Sequence, residues 1–106
     1  MVRFLETKAD FDSFLKANKD KLVAIDFTAA WCGPCKIIGP VFEKLHEDFP
    51  NIVLAKVDVD ENEETAAHCG ISAMPTFQLY IDEKKIDSMT GANADKLKAL
   101  VAKYYK

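Results

Sequence analysis

Two cysteines, Cys32 and Cys35, stand where an apolar run gives way to a long amphipathic segment, and this junction constrains the fold more than any other feature of the chain. The run 22–27 is typical of a buried strand, and the apolar residues after the cysteines follow helical spacing as far as Phe49. Side chains three positions apart on a helix have Cβ atoms about 5–6 Å apart. A disulfide needs Cα atoms about 4.4–6.8 Å apart. The pair is therefore predicted to close and reopen with little backbone movement, as a redox switch.

The start of a helix also supplies the chemistry that a reactive thiol needs. Helix N-termini carry partial positive charge and unpaired N–H groups, and such a position lowers the pKa of a thiol. Cys32, in the exposed first turn, is predicted to be the nucleophile, and Cys35, one turn deeper, the resolving thiol. Lys36 adds positive charge nearby. Pro34 suits an early helical position, and Gly33 leaves room for a partner backbone to approach.

The cysteine pair has two other interpretations besides redox chemistry. A structural zinc site usually needs four ligands in two clusters, and the other candidate ligands, Cys69, His68 and His46, do not form a second cluster with suitable spacing. A permanent disulfide across so short a loop would constrain the unfolded chain very little. A redox-active pair without a metal ion is therefore the favoured interpretation.

The composition limits the class of protein. A chain of 106 residues is predicted to form one domain, 1–106. The formal net charge of −3 gives no basic surface for nucleic acid, and no apolar run approaches the roughly 18–20 residues of a membrane span. The N-terminus has no signal-peptide core. Three cysteines do not make a disulfide framework, which favours a reducing compartment and hence the cytoplasm.

Three further residues have a structural and a functional interpretation. Asp26 lies inside the apolar run, so it is either a functional carboxylate, which we favour, or the frayed end of a strand in contact with water. Lys56, on the next predicted strand, either reaches Asp26 or is a solvated charge. Cys69 is either a small buried apolar residue or a site of regulatory oxidation.

From the run 22–27 onward the pattern predicts the element order βαβαββα, preceded by a short strand and a helix. The strands are expected at 2–5, 22–27, 52–59, 76–81 and 86–90, and the helices at 8–18, 34–49, 63–69 and 94–105. Pro40 should kink the second helix, Gly70 should end the third, and Asn93 should cap the fourth. The fold class is therefore α/β, with a central mixed five-stranded sheet flanked by four helices.

Four segments together carry a family resemblance: KLVAIDFTAAWCGPCK, VDVD, MPTF and GAN. In that order and spacing they resemble the thioredoxins over essentially the whole chain, the animal cytosolic members in particular. The resemblance implies the thioredoxin fold and a cis peptide bond before Pro75. It also implies an apolar groove that docks partner proteins, formed by Trp31, Met74, Pro75, Gly91 and Ala92. Trp31 has the alternative role of covering the core.

Three positions depart from the family pattern. Thr28 replaces a frequent aromatic residue beside Asp26, and Glu83 replaces a usual glycine, which leaves the type of the hairpin turn open. Ala73 occupies the position of an extra cysteine found in some animal members. Disulfide-linked dimers through that position are therefore not expected, and the chain is predicted to be a monomer.

The function implied by the resemblance is that of a protein-disulfide reductase and electron carrier. Cys32 would attack a partner disulfide, Cys35 would resolve the mixed disulfide, and Asp26 would accept the proton of Cys35, either directly or through water. Gly33, Pro34, Lys36 and Lys56 would tune the site. No bound cofactor is expected, since electrons would come from thioredoxin reductase, an NADPH-dependent flavoprotein, and pass to proteins such as peroxiredoxins and ribonucleotide reductase.

Two rival functions fit the same residues. The first is a binding module that holds a partner in a redox-gated way without turnover. The second is a disulfide oxidase or isomerase. We disfavour the second because Gly33 and Pro34 between the cysteines accompany the reducing members of the family, and because an oxidase or isomerase normally needs a secretory address.

Overall fold

The computed structural model of the chain describes residues 2–106, so Met1, the first residue of the predicted domain, lies outside the described range. Five strands form one mixed sheet: β1 Arg3–Phe4, β2 Val23–Thr28, β3 Val53–Asp58, β4 Thr76–Ile81 and β5 Lys84–Thr90. Their order in the sheet is β1-β3-β2-β4-β5. The pairs β1–β3 and β2–β3 are parallel, and β2–β4 and β4–β5 are antiparallel. The predicted mixed five-stranded sheet is confirmed.

The helices are α1 Lys8–Ala17, α2 Gly33–Glu43, α3 Leu45–Asp48, α4 Glu63–His68 and α5 Ala94–Tyr104. The prediction of one continuous helix over 34–49 is wrong, because the helix breaks at Lys44. The N–H of Lys44 is shared between the carbonyls of Pro40 and Val41, each 3.2 Å away. Pro40 remains inside α2, where its ring removes the bond to the carbonyl of Lys36. With α2 and α3 counted as one interrupted helix, four helices flank the sheet, as predicted.

The central strand β2 is buried on both faces, and alternate side chains enter two different cores. Ala24 packs with β4 and with α2, α3 and α5, and the members of this first core include Ile38, Phe42, Leu45, Phe77, Leu97 and Val101. On the other face Val23, Ile25 and Phe27 pack against α1. Complete burial of such a side chain contributes about 1.5–3 kcal/mol. The two cores therefore fix the position of β2 and of the segment that follows it, which contains the two cysteines.

Side-chain caps stabilise the starts of α1 and α5. Thr7 accepts a hydrogen bond from the N–H of Asp10 at 3.0 Å, and Asn93 accepts one from Lys96 at 3.0 Å. Such caps stabilise a helix by about 1 kcal/mol. The predicted Asn93 cap is confirmed, and so is the predicted stop at Gly70, whose φ of +69° is a conformation that glycine adopts without steric cost.

The hairpin between β4 and β5 turns over two residues, Asp82 and Glu83, whose φ angles are +53° and +65°. Positive φ at both central residues is the mark of a type I′ turn, which answers the question left open by the sequence. Because the turn is so short, β5 begins at Lys84, two residues before the predicted start at Ile86.

No helix within residues 2–106 combines the length and the apolar character needed to cross a membrane.

We expect Glu83→Gly to stabilise the fold, because a residue with a Cβ atom at positive φ costs about 1–2 kcal/mol and glycine does not. Part of this gain is offset by the greater freedom of glycine in the unfolded chain, so the net increase should be about 0.5–1 kcal/mol. Thermal unfolding should show a Tm higher by about 4 °C. Glu83→Ala is the control, since it removes the carboxylate but keeps the Cβ atom. A similar gain in both variants would show that charge rather than backbone strain is responsible.

Candidate active site

The candidate site is built where β2 ends and α2 begins. Cys32 and Cys35 are joined by a disulfide, with their Cα atoms 5.3 Å apart. Cys32 is the N-cap of α2, and its Sγ accepts a hydrogen bond from the backbone N–H of Cys35 at an N–S distance of 3.2 Å. An N–H of the first helical turn therefore points at the sulfur of Cys32, where it stabilises negative charge.

The predicted difference in exposure between the two cysteines is wrong for this oxidised state. Each is only 4% exposed, because the disulfide packs against Ala29, Val59 and Met74. The feature that distinguishes the two sulfurs is the capping position of Cys32. The other residues of the motif, namely Gly33, Pro34 and Lys36, are all exposed around this buried pair.

The loop before β4 lies against Cys32. The Met74–Pro75 peptide bond is cis, as the family resemblance implied. The carbonyl oxygen of Met74 is 3.8 Å from Cys32 Sγ, and the carbonyl of Pro75 accepts a hydrogen bond from Gly91 at 2.9 Å. Gly91 has a φ of +103°, which favours glycine, and exposed Ala92 follows it. The fold thus brings Met74, Pro75 and Gly91 together beside the disulfide.

Trp31 is an exposed member of the predicted groove. Its side chain is 67% exposed, so the alternative role of covering the core is wrong. The indole Nε1–H donates a hydrogen bond to Asp60 Oδ2 at 2.8 Å, which fixes the orientation of the ring. Asp60 was missed at the level of sequence, where it lies in an acidic run typical of a solvated loop. Nothing local to that run indicates a tryptophan partner 29 residues away.

Asp26 lies in the middle of β2 and is only 1% exposed, so the interpretation as a frayed strand end is wrong. Its Oδ1 has no hydrogen-bond partner among the described residues. Burial raises the pKa of Asp26 to about 7, although the charge of Lys56 lowers it, and the charge of Glu43 raises it further. Asp26 is therefore a carboxyl group that exchanges a proton near neutral pH.

Lys56 pairs with a residue that the sequence did not suggest. Its Cα lies opposite that of Asp26 in the parallel register of β2 and β3, but its Nζ donates to Glu43 Oε2 at 2.8 Å. With only 13% of its side chain exposed, Lys56 is not a solvated charge either. The hydrogen bond from Lys56 lowers the pKa of Glu43. Because Glu43 is 39% exposed, it keeps part of its hydration, whereas Asp26 would form the pair without water.

Cys69 lies away from the disulfide. It is half-buried beside the second core, and its Sγ is 3.6 Å from Tyr80 Oη. Burial raises the pKa of the Cys69 thiol, which reduces its thiolate fraction at neutral pH. These contacts favour a packing role, and regulatory oxidation of Cys69 stays a prediction.

Within residues 2–106, no group of three or more His, Cys, Asp or Glu side chains is arranged to hold a metal ion.

Comparison with known proteins agrees with this geometry. The thioredoxin family model matches residues 2–103. The thioredoxin of Geodia cydonium is 52% identical over 104 residues, which cover 97% of this chain and 98% of the relative. The thioredoxin of Mus musculus is 45% identical over 104 residues, with 98% and 99% covered. The crystal structure of Fasciola hepatica thioredoxin superposes with a TM-score of 0.94, covers 99% of this chain and 100% of its own, and is 44% identical.

The chain belongs to the thioredoxin family.

A thioredoxin is a protein-disulfide oxidoreductase, and here the disulfide of Cys32 and Cys35 is the redox-active centre. The structure locates two of the three residues that depart from the family pattern. Thr28 is half-buried at the end of β2, and Ala73 is exposed in the loop before the cis bond.

The stability of this thioredoxin should depend on pH through Asp26. Its pKa is about 7 in the folded protein and near the ordinary 3.8 in the unfolded chain, so between these values the folded state binds more protons. The stabilisation is therefore present at low pH and is lost as the pH rises through about 7, by about 4 kcal/mol in all.

We expect Asp26→Asn, which cannot ionise, to lack this loss and to be more stable than the wild type at pH 8. Urea unfolding of both oxidised proteins at several pH values between about 4 and 8 measures the difference. Since other carboxylates titrate in both proteins, the difference between the two curves reports Asp26. Parallel curves would contradict a raised pKa.

Proposed function

We propose that this thioredoxin works as a reductase of disulfides in partner proteins and acts as one domain. The observation that carries this proposal is the hydrogen bond from the Cys35 N–H to Cys32 Sγ, at 3.2 Å, at the start of α2. It favours a thiolate at Cys32 once the disulfide is reduced, and the thiolate is the form that attacks disulfides.

The first exchange joins the two proteins. The Cys32 thiolate attacks one sulfur of the partner's disulfide and forms a new S–S bond with it. The partner's own S–S bond breaks, and its second sulfur leaves with the electron pair and takes a proton from water.

The second exchange releases the partner. Cys35 gives its proton to the Asp26 carboxylate, and the Cys35 thiolate attacks Cys32 Sγ. The mixed disulfide breaks, and the partner's sulfur leaves with the electron pair and is protonated in turn. Two electrons have then passed from the dithiol to the partner, and the Cys32–Cys35 disulfide has formed. The raised pKa and the burial of Asp26 support its role as proton acceptor.

Partner docking is assigned to the surface around Cys32. Trp31, Met74, Pro75, Gly91 and Ala92 would contact the partner, and an extended partner segment would pair with the backbone near Met74. The location of the Met74 carbonyl, 3.8 Å from Cys32 Sγ, supports this arrangement, since a segment held there presents its disulfide to Cys32. Gly33, Pro34, Lys36 and Lys56 would tune the reactivity of the pair.

The wider redox chain is proposed from family membership. Thioredoxin reductase would return electrons from NADPH to the disulfide. Peroxiredoxins and ribonucleotide reductase would be among the acceptors. The protein would act in the cytoplasm as a monomer that binds neither nucleic acid nor a membrane.

We expect Cys32→Ser to abolish the reduction of insulin, measured as turbidity in the presence of dithiothreitol. Cys35→Ser should also lose turnover. When this variant is reduced, freed of dithiothreitol and then mixed with insulin, it should accumulate a mixed disulfide, because the attacking thiol remains and the resolving thiol is gone. The adduct is detected by non-reducing electrophoresis and mass spectrometry.

Cys69→Ser is the matched control and should retain nearly full activity. An adduct formed equally by Cys32→Ser and Cys35→Ser would show that the two roles are assigned wrongly. Binding of insulin without any reduction by the wild type would indicate a redox-gated binding module instead of a reductase.

A further inference from the structure

A cavity of about 270 Å³ lies beside Cys35, between α2 and the edge of the sheet formed by β1 and β3. The Lys56 ammonium projects toward it. Its Nζ lies 5.7 Å from the centroid of the Phe4 ring and 3.9 Å from the position that a Cβ atom on Gly39 would occupy. Lys56 is therefore held between α2 and β1 rather than over β2.

Charged groups line this cavity from two elements, while β1 contributes the ring of Phe4 and the end of β2 contributes Thr28. Cys35 is also part of the cavity wall, and β4 places Phe77 opposite Asp26. The charged side chains of the wall are Lys36 and Glu43 from α2 and Lys56 and Asp58 from β3. Of these four, only Lys56 and Glu43 shift the pKa of Asp26.

Two carboxylates thus compete for one ammonium group. The backbone register places Lys56 directly opposite Asp26, but the ammonium forms its ion pair with Glu43 Oε2 at 2.8 Å. Within residues 2–106, neither Lys56 nor any other donor hydrogen-bonds Asp26 Oδ1. Glu43 is the last residue of α2, whose buried side chains Ile38 and Phe42 share the first core with Ala24 of β2.

We propose that Glu43 is a positioning residue for the redox reaction: by binding the Lys56 ammonium, it keeps that cation from pairing with Asp26, so that Asp26 can take the proton that leaves Cys35. The inference rests on the proposed role of Asp26 in the second exchange. An ammonium paired with Asp26 would stabilise the carboxylate and make it a weaker base. The effects of the two charges on Asp26 agree with this arrangement, since Lys56 lowers the pKa of Asp26 and Glu43 raises it.

The first measurement is the titration of Asp26 by carboxyl NMR in the oxidised protein, in which the two cysteines do not titrate. In Glu43→Gln the midpoint should fall by about one pH unit, because a negative charge is lost and the ammonium is released toward Asp26. Lys56→Met should raise the midpoint above that of the wild type. The double variant Glu43→Gln with Lys56→Met should cancel the fall, since no ammonium remains to move.

Glu47→Gln is the matched control. It removes one carboxylate from the next helical turn, where Glu47 is exposed. The midpoint of Asp26 should stay at the wild-type value. Amide NMR spectra of each variant establish that the fold is intact.

The second measurement is the pH profile of partner release. The reduced protein is mixed with a chromogenic aromatic disulfide, whose second thiolate appears when Cys35 attacks the mixed disulfide. In Glu43→Gln the rise of this rate with pH should move down by about one pH unit, together with the Asp26 midpoint, and the plateau at high pH should fall about threefold because the base is weaker.

The outcomes distinguish the positioning role of Glu43 from the role of Asp26 as acceptor of the Cys35 proton. The positioning role of Glu43 is overturned if Glu43→Gln leaves the Asp26 midpoint unchanged. It is also overturned if the midpoint in the double variant remains below the wild-type value. A lowered midpoint with an unchanged release profile would show instead that Asp26 does not accept the Cys35 proton. In that case the proposed role of Asp26 in release fails, and the effect of Glu43 on the reaction fails with it.

Discussion

The backbone pairing of β2 with β3 on one side and with β4 on the other is the constraint on which the rest of the structure depends. It places one strand at the centre of the sheet and buries both of its faces in separate cores. The carboxyl end of β2 leads directly to Cys32, and β4 begins with the cis-proline loop that lies against it. The same pairing that stabilises the fold therefore assembles the redox site from segments 42 residues apart.

The burial of Asp26 in that strand makes its ionised form costly for the stability of the fold but provides a base for the proposed reaction. An isolated carboxylate in an apolar strand is costly to ionise, and burial accordingly raises the pKa of Asp26 to about 7. A hydrophobic residue would pack better on the face of β2 that Asp26 shares with Ala24. The retained carboxyl group is, however, a base whose pKa matches a neutral medium, which suits a reaction that must remove a proton from a buried thiol.

Both ends of helix α2 contribute to this chemistry. Its N-terminus directs an N–H at Cys32 Sγ, and ten residues after its first residue Glu43 holds the Lys56 ammonium. In the proposed mechanism the helix stabilises negative charge on the attacking sulfur at one end, and at the other it limits how much positive charge reaches Asp26. Both effects act at short range and through partly buried groups, where solvent screens charges less than it does at the surface.

The sequence by itself determined the features that depend on neighbours along the chain. Strand and helix order, the Asn93 cap, the stop at Gly70 and the location of the cysteine pair at a helix start all follow from periodicity and capping chemistry, while the cis bond at Pro75 came from family resemblance. Only the tertiary structure decided the ion pair of Lys56 with Glu43, the bond from Trp31 to Asp60 and the equal burial of the two cysteines. These depend on which residues the packed elements bring together across long stretches of chain, and no local pattern carries that information.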